Sequence, residues 1–248
     1  HEDKILHDSG DVIIAMLRDS SPTILGADDR AGIAIILEVL RGLQYSSFNG
    51  TIKVAFTIEE EIGCIGAEKL DSDFYEDADL AIVVDRKGNR DIVVGNSTAF
   101  CCNQVGHFME DVSRLAGMDY KCVEGGVSDA VIFSGYGVNS INLSAGYYGE
   151  HYEGEFVVIS DMKDTVSLIM KTLSLINDHC HAFESVPIDN EWVYGGGISK
   201  DVWGESQDEN GDVFAYQLGG DVVIQQGTNE IVMKPSTWIR IRKQLDNI

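Results

Sequence analysis

The chain has 248 residues, of which 44% are hydrophobic and 24% charged, so it is long enough to bury a sizeable core. Its 18 basic and 41 acidic residues give a formal net charge of −23 at pH 7, which disfavours nucleic acid and anionic membranes as partners. The sequence has no apolar run long enough to span a membrane, and its five cysteines show no C-x-x-C spacing, which favours a reducing, cytoplasmic compartment.

Predicted helices and strands alternate along the first 176 residues. The predicted strands cover residues 51–58, 80–85, 91–94, 120–123 and 140–143. The predicted helices cover residues 29–43, 67–70, 104–117, a segment from 129, and 160–176. This alternation predicts an α/β fold: a three-layer α/β/α sandwich of the phosphorylase/hydrolase-like type, with a mostly parallel central sheet.

Acidic side chains stand where these predicted elements begin or end. Asp28 and Asp29 lie at the start of the first predicted helix, and three glutamates at residues 59–61 follow the predicted strand over residues 51–58. Asp85 ends the next predicted strand in the same way. Because ligands of open α/β sheets bind at the carboxyl ends of the strands, we expect these acids to face one crevice.

Divalent metal is the simplest explanation of this crowding. Bare carboxylates so close together repel one another and have raised pKa values unless cations neutralise them. His151, in a glycine-rich loop after the last predicted strand, adds an imidazole to the set. Asp, Glu and His without Cys suit catalytic zinc, manganese or cobalt, and two such metals would need a bridging carboxylate.

Five short motifs follow one another in a recognisable order. They are GADDRAG at residues 26–32, FTIEEEIG at 56–63, the strand-end Asp85, GGVSDA at 125–130, and His151 with Glu155. In this order they resemble the co-catalytic metallopeptidase clan that contains the M20, M28 and M42 families and includes peptidase T-like and aminopeptidase-like enzymes. The resemblance covers roughly residues 1 to 176.

The resemblance implies a dinuclear metal centre. Asp28 would bridge two divalent metal ions, expected to be zinc with manganese or cobalt as alternatives. Glu61 and His151 would bind one metal, and Asp85 would bind the other. Family members with this motif have a cis peptide bond after the bridging aspartate, so the bond between Asp28 and Asp29 is expected to be cis.

The family's remaining ligand is a histidine in an H-x-D motif upstream of the bridging aspartate. His1 and Asp3 match that motif, and Asp3 would hold the imidazole of His1 in its orientation. His7 is the alternative ligand, because its distance along the chain to Asp28 would suit a shorter version of the segment between this histidine and the bridging aspartate. The strands that precede this histidine in the family have no counterpart in the sequence.

The resemblance further implies a metal-dependent exopeptidase in which Glu60 is the general base. Glu60 would take a proton from the metal-activated water and return it to the leaving amine. The nearby acids suit a free N-terminal ammonium, which favours an aminopeptidase that acts on short peptides. One alternative is an amidohydrolase of N-acyl amino acids, for which Arg30 and Arg86 are candidate carboxylate-binding residues. Another is a catalytically silent relative with a structural or assembly role.

The pattern changes after about residue 184. We therefore predict a catalytic domain over residues 1–184 and a small β-rich appendage over residues 185–248. Within the appendage, residues 212–217 and 221–225 flank a Leu-Gly-Gly turn as a candidate hairpin, residues 230–233 are a possible third strand, and residues 236–245 a helix. We expect a homo-oligomer. The appendage would serve oligomerisation or partner binding, or it would extend the packing of the main domain.

Overall fold

The computed structural model describes residues 4–186 in full and the backbone of residues 213–218, 221–226 and 229–233. The predicted ligand His1, its partner Asp3 and the helix expected over residues 236–245 lie outside the described residues. None of the helices in the described part of the chain has the length and apolar composition that a membrane span requires.

Twelve strands and five α-helices make up the described part of the chain, along with short 3-10 turns. The strands are β1 (Ile5–Asp8), β2 (Val12–Met16), β3 (Pro22–Thr23), β4 (Ala81–Arg86), β5 (Asp91–Gly95), β6 (Lys121–Glu124), β7 (Ser140–Ser144), β8 (Tyr147–Tyr148), β9 (Phe156–Val158), β10 (Val213–Leu218), β11 (Asp221–Gln226) and β12 (Asn229–Met233). The helices are α1 (Ala27–Leu43), α2 (Ile65–Glu68), α3 (Asn103–Leu115), α4 (Asp129–Gly135) and α5 (Ile159–Leu175).

The central sheet has the strand order β4-β7-β5-β6. The pairs β4–β7 and β5–β6 are parallel, and only β5–β7 is antiparallel. The sheet is therefore mostly parallel, as the sequence predicts. Parallel neighbours bring their carboxyl ends to one edge, which is where the candidate site lies.

Helices cover both faces of this sheet. Ile82 and Val84 of β4 pack into a core with α1, α3 and α5. The alternate residues Ala81 and Val83 pack into a second core with α2 and α4. Because successive side chains of a strand point to opposite faces, one strand joins two helical layers. The expected three-layer α/β/α architecture is confirmed.

The predicted strand over residues 51–58 is wrong. Residues 51–57 belong to no helix or strand, and Phe56 and Ile58 are exposed. The apolar, β-branched composition of this run favours extended backbone, but a strand also needs a neighbour that completes its ladder of hydrogen bonds. In the described residues no strand pairs with this segment.

A second, antiparallel sheet was not predicted. It contains β1, β2, β9 and β8, with β3 beside β2. These strands are two to five residues long, and β1 is exposed along its whole length. Alternation of apolar and polar residues does not identify strands this short, so only the tertiary pairing reveals them.

The tail forms a three-stranded antiparallel sheet in the order β10-β11-β12. Leu218 pairs with Asp221 at the turn, and Asn229 pairs with Gln226 at the next one. The predicted hairpin and the possible third strand are confirmed. The division of the chain into two domains near residue 184 stays a prediction.

Candidate metal centre

The structure brings three predicted ligands to one point from distant parts of the chain. His151 Nε2 lies 2.7 Å from Glu61 Oε1 and 3.0 Å from Asp28 Oδ2. One ligand atom from each residue lies within 4.8 Å of the other two. Atoms bound at about 2.0–2.2 Å to one zinc ion are at most about 4.4 Å apart, so these three side chains need little movement to share an ion.

Asp85 lies beside this group, at the end of β4. Its carboxyl group is close enough to that of Asp28 for the two to influence each other's pKa. The Asp85 backbone N–H donates to Asn142 Oδ1 at 2.9 Å, and the Tyr147 hydroxyl lies 3.4 Å from Asp85 Oδ1. The fourth predicted ligand is therefore held next to the first. His7, the alternative upstream ligand, lies on the exposed strand β1 and is not part of the group.

Asp28 is presented by an irregular start of helix α1. Asp28 (φ −77°, ψ 110°) and Asp29 (φ −115°, ψ 49°) are not helical, and the preceding Gly26 has a left-handed backbone (φ 74°) that glycine adopts without a steric penalty. The peptide bond between Asp28 and Asp29 is cis, which confirms the expectation.

Glu155 holds this helix start from the other side. Its side chain is only 1% exposed, and its carboxylate accepts hydrogen bonds from the backbone N–H groups of Gly26, Ala27 (2.9 Å) and Asp28 (3.0 Å). The first N–H groups of a helix have no partner within it and attract negative charge. From the sequence, Glu155 is part of a motif and has no assigned role; in the structure it binds the backbone that carries Asp28.

Asp29 is directed behind the centre, where helix α1 meets strand β4. It accepts a hydrogen bond of 2.9 Å from the backbone N–H of Gly32. A Cβ at Gly32 would lie 1.9 Å from the carbonyl oxygen of Val84 and 2.3 Å from Asp29 Oδ2. Only glycine permits this approach of helix to strand.

Glu60 stands next to the group, in a half-buried position. Burial raises its pKa to about 7, and the charges of Glu61, Asp129 and Asp28 add to the shift. Asp129 is buried in turn and accepts a hydrogen bond of 2.5 Å from the Thr57 hydroxyl. No role is predicted for Asp129 from the sequence, although its place in the GGVSDA motif is a signal that could have identified it.

The acids of the centre lack compensating positive charge. Burial raises the pKa of Asp85 to about 9, with further contributions from Asp29 and Glu60, and raises the pKa of Asp29 to about 8. Burial and the charge of Glu61 also raise the pKa of Asp28. His151 has a raised pKa, chiefly because it hydrogen-bonds with Glu61. The arrangement is one that divalent cations would neutralise.

We expect the metal-free protein to lose stability as the pH rises from about 4 to about 9. The pKa values of Glu60, Asp29 and Asp85 in the folded chain are about 7, 8 and 9, against about 4 for unfolded carboxyls. Within that window the folded state binds more protons than the unfolded state, so the free energy of unfolding falls with rising pH.

Urea denaturation with a chelator at about pH 5, 7 and 9 measures this effect through the change in the free energy of unfolding. The same series with saturating zinc is the control, since bound cations should remove most of the pH dependence. A free energy of unfolding that stays level or rises with pH in the metal-free protein would contradict the assignment.

Comparison with known families agrees with this geometry. The model of the M42 glutamyl aminopeptidase family matches residues 21–168, which is more than half of the chain. The chain belongs to the M42 family. The matched span contains four predicted ligands and the predicted base of the M42 centre: Asp28, Glu60, Glu61, Asp85 and His151.

Curated relatives of this M42 chain include peptidase T of Escherichia coli O1:K1 and of Escherichia fergusonii. Each is 32% identical over 163 residues, which covers 61% of this chain and 35% of the relative. The chain thus spans about a third of the length of the curated relatives it matches.

Solved structures show the same fold. The aminopeptidase PepT from Bacillus cereus is 16% identical with a TM-score of 0.60, covering 70% of this M42 chain and 76% of that one. A tripeptidase from Staphylococcus aureus is 17% identical with a TM-score of 0.59, covering 71% and 77%. The TET1 peptidase of Pyrococcus horikoshii is 22% identical with a TM-score of 0.55, covering 69% and 53%.

Proposed function

We propose that the protein is a dinuclear metal-dependent aminopeptidase that hydrolyses short peptides. The observation that carries this proposal is the convergence of Asp28, Glu61 and His151 on one point, with Asp85 and Glu60 beside them. Membership of the M42 family supports it and does not favour an amidohydrolase or a silent relative.

The residues present fit two divalent metal ions. Asp28, Glu61, Asp85 and His151 offer oxygen and nitrogen atoms of the kind that zinc, manganese and cobalt bind, with zinc the ion we expect. The raised pKa values of the acids reflect negative charge that such ions would balance. Bound there, the ions would polarise the scissile carbonyl and lower the pKa of water.

Two of the three residues before the described part of the chain complete the proposed set. His1 is the proposed fifth ligand, and Asp3 would fix the orientation of its imidazole. This assignment rests on the H-x-D pattern alone.

Glu60 is the proposed general base. Burial is the main cause of its raised pKa in the metal-free chain, and a half-buried carboxylate with a raised pKa suits the transfer of a proton from water to the leaving amine near neutral pH. The remaining negative charge around Glu61 and Asp129 would attract the free ammonium of a peptide's N-terminus, which supports an aminopeptidase.

The oligomeric state and the cellular location also belong to this proposal. We expect a homo-oligomer, since the related TET1 peptidase of Pyrococcus horikoshii is described as assembling into a tetrahedron or a large octahedral shell. We expect a cytoplasmic location, which the free state of all five cysteines supports.

The test combines metal analysis with a panel of aminoacyl anilides and short peptides. We expect hydrolysis that a chelator abolishes and that zinc, manganese or cobalt restores. Glu61→Gln should weaken metal affinity by at least about tenfold, because it removes a ligand. The neighbouring, exposed Glu59→Gln is the matched control and should bind metal normally. A chain that binds no divalent metal and cleaves none of these substrates would refute the proposal.

A further inference from the structure

The backbone that carries Glu60 and Glu61 has no sheet to hold it on its upstream side. Residues 51–57 belong to no helix or strand, and within the described part of the chain their backbone groups make no hydrogen bond with other backbone groups. A strand is normally fixed by hydrogen bonds to its neighbours in a sheet. Another contact therefore has to place the predicted base and the predicted ligand.

A tight turn holds the same backbone on its downstream side. The carbonyl oxygen of Glu60 accepts hydrogen bonds from the N–H groups of Gly63 at 2.9 Å and of Cys64 at 2.8 Å, and that of Ile58 accepts one from Gly66 at 3.0 Å. The side chain of Cys64 is buried and packs in a core cluster with side chains of α2 and α4. The turn is thus fixed to the body of the protein after Glu60, but not before it.

The upstream contact comes from the last residue of the segment. The hydroxyl of Thr57 donates a hydrogen bond of 2.5 Å to Asp129 Oδ2. The other side-chain hydrogen bonds of residues 51–57 in the described chain come from Lys53, near the opposite end of the segment. The bond between Thr57 and Asp129 is therefore the contact that fixes the chain just before Glu60.

Asp129 stands on a firmly packed element. It is the first residue of α4, and the next residue, Ala130, is fully buried in a cluster with Val93 of β5 and with Phe100. Functional side chains are placed most precisely when the groups behind them stand on rigid elements. The hydrogen bond thus connects the segment before Glu60 to the helix layer on the central sheet.

An aspartate at this position is costly for the fold. Asp129 is buried, and its Oδ1 has no hydrogen-bond partner among the described residues. A buried carboxylate oxygen without a partner lowers the free energy of unfolding. Burial is the main cause of the raised pKa values of Glu60 and Asp85, and the charge of Asp129 contributes to both, which places Asp129 near the centre. A buried acid that costs stability beside such a centre indicates a role there.

We infer that Asp129 is a positioning residue that acts through Thr57 and fixes Glu60 and Glu61 at the centre, an inference that rests on the proposed function. Without this hydrogen bond, both glutamates would lie on a segment that is held only from its downstream side. Glu61 would then be less well placed beside His151, and Glu60 less well placed as the base. Metal affinity and turnover should therefore fall together.

Thr57→Val removes the hydroxyl and keeps the shape of the side chain. We expect zinc affinity, measured by calorimetry with zinc alone, to fall by about 10- to 100-fold, as is typical of groups that orient a metal ligand. At saturating zinc, kcat on a short peptide should fall by a similar factor with KM little changed, because the base is displaced. Thr57→Ser keeps the hydroxyl and should restore both quantities. Thr51→Val is the matched control at an exposed position of the same segment and should change neither.

A double variant separates positioning from stability. Thr57→Val alone leaves both oxygens of a buried carboxylate without partners, which destabilises the fold. Replacing both partners by apolar groups, as in Thr57→Val with Asp129→Leu, is nearly neutral for stability. We expect this double variant to unfold in urea near the midpoint of the unchanged protein, yet to bind zinc weakly and turn over slowly. If Thr57→Val alone does not fold, the double variant provides the same test.

The outcomes distinguish this inference from the proposed function. Normal zinc affinity and kcat in a folded Thr57→Val protein, or recovery of both in the double variant, overturn the role of Asp129 even if the enzyme is active. If zinc affinity falls in Thr57→Val and returns in Thr57→Ser while no variant and no unchanged protein hydrolyses a peptide, the proposed function is refuted and the positioning of Glu61 stands.

Discussion

Replacing Glu60 by glutamine is expected to lower turnover by about 10² to 10⁴ while metal binding is retained. Glutamine preserves the size of the side chain but accepts no proton at neutral pH, so proton transfer from water to the leaving amine loses its carrier. The direction follows from the half-buried position of Glu60 beside Glu61 and Asp28, where burial is the main cause of its raised pKa.

The measurement is kcat on a peptide substrate with the metal content determined in the same sample. Glu59→Gln is the matched control, because Glu59 is adjacent in the chain and exposed, and no function at the centre is proposed for it. Near-normal turnover in a fully metal-loaded Glu60→Gln protein would remove Glu60 as the base. Loss of metal together with activity would instead make it a ligand.

Replacing Glu155 by glutamine is expected to lower the free energy of unfolding by about 2 to 4 kcal/mol. The carboxylate is buried and accepts three backbone hydrogen bonds at the start of helix α1, including the one from Asp28. A glutamine in its place loses the charge that the helix start attracts and turns an amide N–H₂ toward backbone donors. Metal affinity should fall as well, because the backbone that presents Asp28 loses its support.

Urea denaturation and metal titration of the same preparations test this second expectation. Glu153→Gln is the control, since Glu153 belongs to the same loop but is exposed. It should change the free energy of unfolding by less than about 0.5 kcal/mol. If Glu155→Gln is as stable as that control and binds metal normally, the contacts of Glu155 do not support the centre.

Much of the candidate site can be predicted from the sequence because its predicted ligands and base lie in short motifs. Asp28, Glu60, Glu61 and Asp85 each sit at or near the end of an element or at a turn, where local pattern is informative. Their order along the chain indicates the metallopeptidase clan, and with it the cis bond after Asp28, while the family model narrows the clan to M42.

The errors have a common physical origin. Residues 51–58 have the composition of a strand, yet no strand pairs with them in the described residues. The sequences of β1, β2 and β9 do not stand out as strands, yet these three segments are paired in a sheet. A strand exists through hydrogen bonds to a neighbour, and that neighbour is chosen by packing at long sequence separation. Helices α1, α3 and α5 were predicted well because their hydrogen bonds are local.

The sequence by itself determined which functional groups the chain carries, the metallopeptidase clan that its motifs resemble and the alternation that makes an α/β/α sandwich, because these depend on residue types and local spacing. Only the tertiary structure decided how closely the predicted ligands approach one another and which other residues support them. It placed His151 between Glu61 and Asp28, and it brought Glu155 to the backbone of Asp28 across 127 residues of sequence. Contacts at such separations are fixed by how the layers pack, and no local pattern encodes them.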